Sequence, residues 1–273
     1  MGYVMKFSVL MSVYKNDNPM HFREALNSLC KSTFVPDEVV LVVDGPIGVE
    51  LDNEIFEFKK NLNIKDVRLS SNCGLGRALS HGIEYCSYDW IARFDSDDIC
   101  ATDRFEKQIK YISNHPDVCL LGSWVSEFDH EPAQTHALRK VPTSHTEICA
   151  YAKQRNPFNH MSVMYKKSYV LESGSYQDNY LYEDYALWAR MINNGAITAN
   201  IPEVLVYART GNGMEIRRGG FKYACSEVSA QMGFYKSGFI SELQLCKNLL
   251  VRVPVRLLPG DVRKSIYRNF LRK

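Results

Sequence analysis

Apolar positions in the first hundred residues switch repeatedly between strand-like runs and helical spacing. Phe7 to Tyr14 and Glu38 to Val43 are short β-rich runs, the second of the kind buried on both faces of a sheet. Between them Asn18-Pro19 supplies an N-cap and a first-turn proline, after which Phe22, Ala25, Leu26 and Leu29 recur at helical spacing. Ile55, Phe58 and Leu62 predict a second helix, Val67 to Leu69 a short strand, and Leu75 to Tyr85 a third helix opened by Asn72-Cys73-Gly74. Trp90 to Phe94 is a further strand, stopped by Asp95-Ser96-Asp97-Asp98. This βαβαβαβ rhythm predicts an α/β fold with a mostly parallel central sheet flanked by helices. Ligands of such sheets collect outside the carboxyl ends of the strands, where Tyr14, Asp44 and Asp95 fall.

The alternation then weakens. A helix over Arg104 to Ser113 and a strand over Val118 to Ser123 are followed by loops and short elements across 124–180. Glu183 to Asn194 reads as a helix closed by Gly195, and Val204 to Ala208 as a strand. Pro254 and Pro259 are expected to break the tail into short helical pieces. The chain is expected to divide into a main α/β domain over 1–240 and a basic, amphipathic helical tail over 241–273. No apolar run approaches the ~18 residues needed to span a bilayer. The N-terminus enters its first strand without a signal-peptide pattern.

Composition changes this picture little, but charge placement changes it more. The chain is 45% hydrophobic and 23% charged, ordinary for a folded protein. The nearest two of its eight cysteines, Cys73 and Cys86, are thirteen positions apart, so neither a zinc knuckle nor a CxxC pair forms, and reduced thiols in the cytoplasm are expected. The net charge of +2 hides an asymmetry: residues 247–273 hold eight Lys/Arg against Asp261 alone. An acidic body with a basic tail does not describe a nucleic-acid binder; it describes a catalyst held at an anionic surface.

Four stretches carry candidate chemistry. Asp95-Ser96-Asp97-Asp98 sets three carboxylates in four residues at a strand end, a costly arrangement unless a cation compensates. Its hard oxygens suit Mg²⁺ or Mn²⁺ bridging phosphates, although a solvated acidic turn before a helix gives the same pattern. Glu183-Asp184 opens a helix whose Trp188 lies one turn on, an arrangement that sets a carboxylate beside an apolar sugar-binding surface. Asn72 to Ala78 holds a GxG pair but neither GxGxxG nor a Walker motif. Arg209 to Gly220 is glycine-rich and carries Arg217 and Arg218, which suit a diphosphate.

Taken in order, these pieces resemble the family-2 inverting nucleotide-sugar glycosyltransferases of GT-A fold. The likeness runs over about residues 5–210, through Ser8 to Tyr14, Glu38 to Asp44, Asn72 to Gly82, Ala92 to Asp98 and Tyr182 to Tyr185. Asn156-Pro157-Phe158-Asn159-His160-Met161 resembles the subset that builds bacterial O-antigen, capsule and exopolysaccharide, and His160 is counted with the substrate-binding residues. The resemblance implies that Tyr14 flanks the nucleotide base, Asp44 accepts from it and Arg77 lies near it. Asp95 contacts the ribose and metal side, Asp97 binds Mn²⁺ or Mg²⁺, and Asp184 is the general base. Glu183, Trp188, Arg217 and Arg218 complete the substrate contacts. The implied partners are a nucleotide-sugar donor, a UDP-sugar above others, and a saccharide on a lipid diphosphate. The implied location is cytoplasmic, peripheral on the inner face of the cell membrane. Two departures stand: Val43-Asp44-Gly45 has one acid where the family often has two, and Ser80 stands where asparagine is frequent. Rival readings are a metal-dependent nucleotide-sugar hydrolase or nucleotidyltransferase, and a non-catalytic nucleotide-sugar binding module.

The tail yields a prediction. From Asp261 onward Val262, Ile266, Tyr267, Phe270 and Leu271 fall largely on one side of a helix, with Lys264, Arg268 and Arg272 on the other. Deleting 261–273 should weaken co-sedimentation with anionic vesicles and slow transfer to a lipid-linked acceptor, sparing a short water-soluble one. Equal loss of both activities would assign the tail to the fold.

Overall fold

A computed structural model describes residues 5–210 and 219–258. Arg217, Arg218 and the segment 261–273 lie outside the described residues. Four strands, β1 (Phe7–Val13), β2 (Glu38–Val43), β3 (Ile64–Arg68) and β4 (Trp90–Arg93), pair in parallel in the order β3-β2-β1-β4. They are joined by α1 (Pro19–Cys30), α2 (Val49–Phe58) and α3 (Leu75–Tyr85). The side chain of Asn18 accepts from the amides of Met20 and His21, and Pro19 occupies the first turn, as read from the chain. β2 is buried throughout because helices cover both faces: Val39, Leu41 and Val43 enter one apolar cluster, Val40 and Val42 the other. The strand order reverses between β1 and β4, which opens a crevice at their carboxyl ends.

The second half extends the sheet with mixed pairing. β8 (Met164–Lys166) lies antiparallel between β4 and β6 (Val118–Phe128), and β6 runs parallel to β9 (Ile197–Arg209). β5 (Ile99–Cys100) and β7 (Thr135–Arg139) add short antiparallel partners. Both β6 and β9 are longer than the apolar pattern indicates. Ser123, Ser126 and Glu127 interrupt the hydrophobic run of β6 yet are buried. Pro202 interrupts β9, where Ile201 pairs with Ser123 and Val204 with Trp124, so Pro202 and Glu203 bulge from the ladder. Helices α4 (Arg104–Asn114), α5 (His145–Ala152), α6 (Lys167–Glu172) and α7 (Glu183–Asn193) pack around this half.

Two further helices, α8 (Phe221–Lys236) and α9 (Glu242–Leu257), close the described chain. The expected break at Pro254 does not occur: α9, started by a Ser241/Gln244 capping box, runs through it. Pro254 is exposed and lies in the last turn of the helix, where few backbone bonds remain for a proline to disrupt. Tyr185 and Ala189 of α7, Phe234 of α8 and Leu245 of α9 share one apolar cluster. A buried ion cluster reinforces it. Glu227 accepts from Tyr182 Oη at 2.5 Å and from Gln231 at 3.2 Å, and pairs with Arg252 at 2.7 Å and Arg256 at 3.1 Å. Burial alone would raise the Glu227 carboxyl, but Arg252, Tyr182 and Arg256 outweigh it and hold it low. Glu227→Leu strands two cations, and removing one partner from a buried pair costs about 3–5 kcal/mol. Its thermal melt should fall by many degrees; an unchanged melt would show that the cluster adds nothing to stability.

Candidate active site

The crevice beside β4 is built on charge. Arg93, the last residue of β4, is wholly buried, and its guanidinium bonds the Phe94 carbonyl and Asp95 Oδ1. A second buried cation, Arg104, donates to the Arg93 carbonyl at 2.9 Å and holds Gln108 at 3.1 Å. The other oxygen of Asp95 meets His160 Nε2 at 2.8 Å. Burial by itself would push the Asp95 carboxyl up, but Arg93 and His160 together hold it well below the ordinary carboxylate range. Asp95 is therefore a firmly ionised group with both oxygens engaged.

Its neighbours are held the other way. Burial, with repulsion from Asp95 and Asp17, pushes Asp97 up to about 6. Burial likewise pushes Asp17 up to about 6, against the bonds that it accepts from Ser96 Oγ at 2.9 Å and the Tyr14 amide at 3.2 Å. Asp98 is raised well above its usual value by burial and by Asp95 and Asp97, and one of its oxygens has no partner among the described residues. Its other oxygen accepts from the Arg209 amide at 2.8 Å. The Arg209 side chain secures the turn from beneath, donating to the Asp97 carbonyl at 3.0 Å, the His130 carbonyl at 3.1 Å and Glu24 at 2.5 Å.

His160 links the two acidic regions. It stands in a 3-10 turn (His160–Ser162), and its Nδ1 is 3.6 Å from Asp184 Oδ2 at the start of α7. Asn156 donates to that same oxygen at 2.7 Å. Asp184 is therefore not remote from the acidic turn: a single imidazole separates it from Asp95. Glu183 packs where Gly76 leaves room, since a Cβ at Gly76 would meet Glu183 Cγ at 2.7 Å and the Gln177 carbonyl at 2.9 Å. Burial raises the Glu183 carboxyl, and Asp184 adds to the effect.

On the opposite side Asp44 is buried and spends its carboxylate on the loop before α3. It accepts from the Cys73 amide at 2.7 Å, Asn72 Nδ2 at 2.9 Å and the Gly74 amide at 3.1 Å. Gly45, at φ 84°, admits that loop: a Cβ there would lie 2.5 Å from the Asn72 nitrogen. Tyr14 is exposed at the end of β1, and Arg77 pairs with Asp178 at 2.7 Å on the rim. Trp188, expected beside a sugar, is wholly buried among Phe158, Tyr165 and Tyr176. An indole without exposed surface packs the core and cannot stack on substrate, so this expectation is corrected. The residues that sequence reasoning passed over are Asp17, Arg104 and Glu24, while Arg93 and Asn156 fell within matching stretches and were given no role. Asp17 directly precedes Asn18-Pro19, the pair read as the start of a helix, and was itself given no role.

The donor set limits what a metal finds here. Among the described residues no three His, Cys, Asp or Glu side chains are placed to cage an ion. Asp97, pushed up by burial and by its like-charged neighbours, beside an ionised Asp95, fits an ion that takes most of its ligands from elsewhere. That describes Mg²⁺ or Mn²⁺ shared with phosphates.

Known proteins supply the rest. A profile described as Glycosyl transferase family 2 matches residues 8–171. The chain is 44% identical over 268 residues, 98% of its length and 97% of the relative, to the UDP-Gal:alpha-D-GlcNAc-diphosphoundecaprenol beta-1,3-galactosyltransferase of Escherichia coli. It is 39% identical over 266 residues, 96% and 98% of the two chains, to the amylovoran biosynthesis glycosyltransferase AmsE of Erwinia amylovora. The fold is similar to that of S. aureus TarS 1-349 in complex with UDP-GlcNAc, with a TM-score of 0.67 at 18% identity, covering 90% of this chain and 70% of that one. It is also similar to the mannosyltransferase PcManGT from Pyrobaculum calidifontis in complex with GDP-Man and Mn²⁺, with a TM-score of 0.65 at 15% identity over 98% and 76%.

The raised Asp97 carboxyl gives a signed prediction. A carboxyl lifted from 3.8 to about 6 on folding contributes stability below 3.8 that is lost as pH rises through 6. Without divalent metal, Asp97→Asn should therefore melt higher than the parent at neutral pH, and the gap should close toward pH 4. Mn²⁺ with UDP should stabilise the parent and leave the variant unmoved. A variant that melts lower than the parent at neutral pH contradicts this electrostatic reading.

Proposed function

The chain belongs to glycosyl transferase family 2 and is a glycosyltransferase, and on that footing we propose that it moves a hexose from a UDP-sugar to a sugar on a lipid diphosphate, inverting the anomeric carbon. The observation that carries this reading is the Asp95–His160–Asp184 chain, which sets an ionised donor-side carboxylate and a second carboxylate one imidazole apart. Donor and acceptor thus meet across a single side chain. The E. coli relative, whose name gives a UDP-sugar donor and a diphosphoundecaprenol-linked acceptor, supports the substrate classes. Building surface polysaccharide on a lipid carrier sets the enzyme at the inner face of the cell membrane, as a peripheral protein. No described helix is long and apolar enough to cross one.

In this reading Asp184 is the base. Asn156 fixes Oδ2, so Oδ1 takes the proton from the acceptor hydroxyl. The acceptor oxygen then forms its bond to the anomeric carbon from the face opposite the nucleotide, while the bond from that carbon to the diphosphate oxygen breaks and UDP departs. His160 holds the base side and the donor side in register. Tyr14 flanks the base of the nucleotide, and Arg77 stands near it. Asp44 acts through the loop that it pins, Asn72 to Gly74. Glu183 lines the acceptor entrance. Arg217 and Arg218, outside the described residues, are assigned to the diphosphate. Asp97 with Asp95 would hold Mn²⁺ or Mg²⁺, which when bound neutralises charge on the departing diphosphate.

Two experiments test the reading. Asp184→Asn keeps the shape and removes the proton acceptor, so kcat should fall by ~10² or more with UDP-sugar affinity nearly intact. Lost donor affinity with kcat retained would make Asp184 a binding residue. Chelation with EDTA should abolish transfer and added Mn²⁺ or Mg²⁺ restore it, whereas full turnover in EDTA removes the metal from the account.

A further inference from the structure

Helix α9 is amphipathic in the inverted sense. Its two arginines point inward: Arg252 and Arg256 pair with the buried Glu227, beside the buried Asn248. Its leucines point outward. Leu243 and Leu250, two turns apart on one face, are 84% and 76% exposed, and Leu257 continues the same stripe. Cys246, Val251 and Pro254 are exposed beside them, and Glu242 and Lys247 are the exposed charges of the helix. The stripe extends onto α8, because the Gly220 amide bonds the Arg256 carbonyl at 2.9 Å. Phe221, 79% exposed, and Leu257 follow the two residues that share this bond.

Scattered apolar residues on a surface require no explanation; a continuous stripe on the outside of a helix whose arginines are turned inward does. We propose that the outer face of α9, continued by Phe221, is the surface by which this protein lies on an anionic lipid bilayer. This rests on the lipid-linked acceptor of the proposed function, and it assigns the docking to a packed helix in place of the terminal segment alone. Charge complementarity selects the occupant. On this helix Lys247 is exposed, with Glu242 at the helix start, and residues 259–273, which follow α9 in the chain, hold Arg263, Lys264, Arg268, Arg272 and Lys273 against Asp261 alone. A helix lying in the interface sinks its apolar stripe below the headgroups and keeps its cations near their phosphates. The inward pairing on Glu227 also fits this geometry. It ties the lipid-facing helix through Tyr182 to the start of α7, two residues from Asp184, so docking and the base share one rigid body.

Leu243→Ser/Leu250→Ser in the full chain tests the proposal without adding charge, and both side chains are too exposed to be needed for folding. The readout is co-sedimentation with phosphatidylglycerol/phosphatidylethanolamine vesicles, with phosphatidylcholine vesicles as reference. Partitioning onto the anionic vesicles should fall by about tenfold or more, since two inserted leucines are lost. Stabilisation by UDP with Mn²⁺ should stay at the parent level. That second readout separates the two ideas: if UDP stabilises neither protein the donor assignment fails, while vesicle binding still reports on α9. Three outcomes overturn the proposal. Unchanged vesicle binding would move docking elsewhere, to 261–273 if deletion there abolishes it. A parent dimer that the variant converts to monomer in sedimentation velocity would make the stripe a contact between copies. A variant melting several degrees lower would mean that the stripe is covered within the chain.

Discussion

Negative charge gathered at the carboxyl end of β4 is the constraint around which the rest of the molecule is arranged. Asp17, Asp95, Asp97 and Asp98 meet there, and they do not share one protonation behaviour. Asp95 is held ionised by the buried Arg93 and by His160, whereas burial and mutual repulsion raise the other three. Such a site is left electrostatically incomplete by the protein's own groups. In the proposed reading a divalent cation held with a diphosphate would complete it, which would make binding of the donor a charge-matching event as well as a shape-matching one. The two cations beneath the turn, Arg93 and Arg209, keep the acids in place in the meantime.

From that turn the architecture leads outward along side chains. His160 reaches from Asp95 toward Asp184, Asn156 orients the carboxylate of Asp184, and Gly76 lets the start of α7 close against α3. Tyr182, immediately before α7, then reaches the buried Glu227 and through it the two C-terminal helices. Helices that look like an appendage in the chain order are therefore packed behind the start of α7, which carries Asp184. An ion pair of this depth is weak evidence for stability by itself, but removing one partner is costly, and that fixes how α7, α8 and α9 sit together.

Much of this was legible in the chain because the parallel half obeys local rules. Unbroken apolar runs gave β2, and Asn18-Pro19 gave the start of α1. The carboxylates fell where a switch in strand order puts ligands. What escaped was long-range. The polar residues inside β6 and the bulge at Pro202 disguised the two longest strands, whose pairing depends on partners some eighty residues away. Arg93 looked like an ordinary strand-end cation, and only the fold shows it buried beneath Asp95. Trp188 misled in the opposite direction: helical spacing put it on the face of Asp184, but one turn further along α7 that face is already core. Pro254 misled because a proline near the exposed end of a helix costs less than one in its middle.

The central claim is that the β4 turn receives the metal and diphosphate while the far side of His160 is left to the acceptor. Crystals soaked with UDP and Mn²⁺ and measured at the manganese absorption edge test it most directly. The account predicts one anomalous peak against the Asp97 carboxylate, bridged to the UDP phosphates, with Asp184 free of both. A peak on Asp184, or UDP bound in the crevice with no manganese beside Asp97, would contradict it.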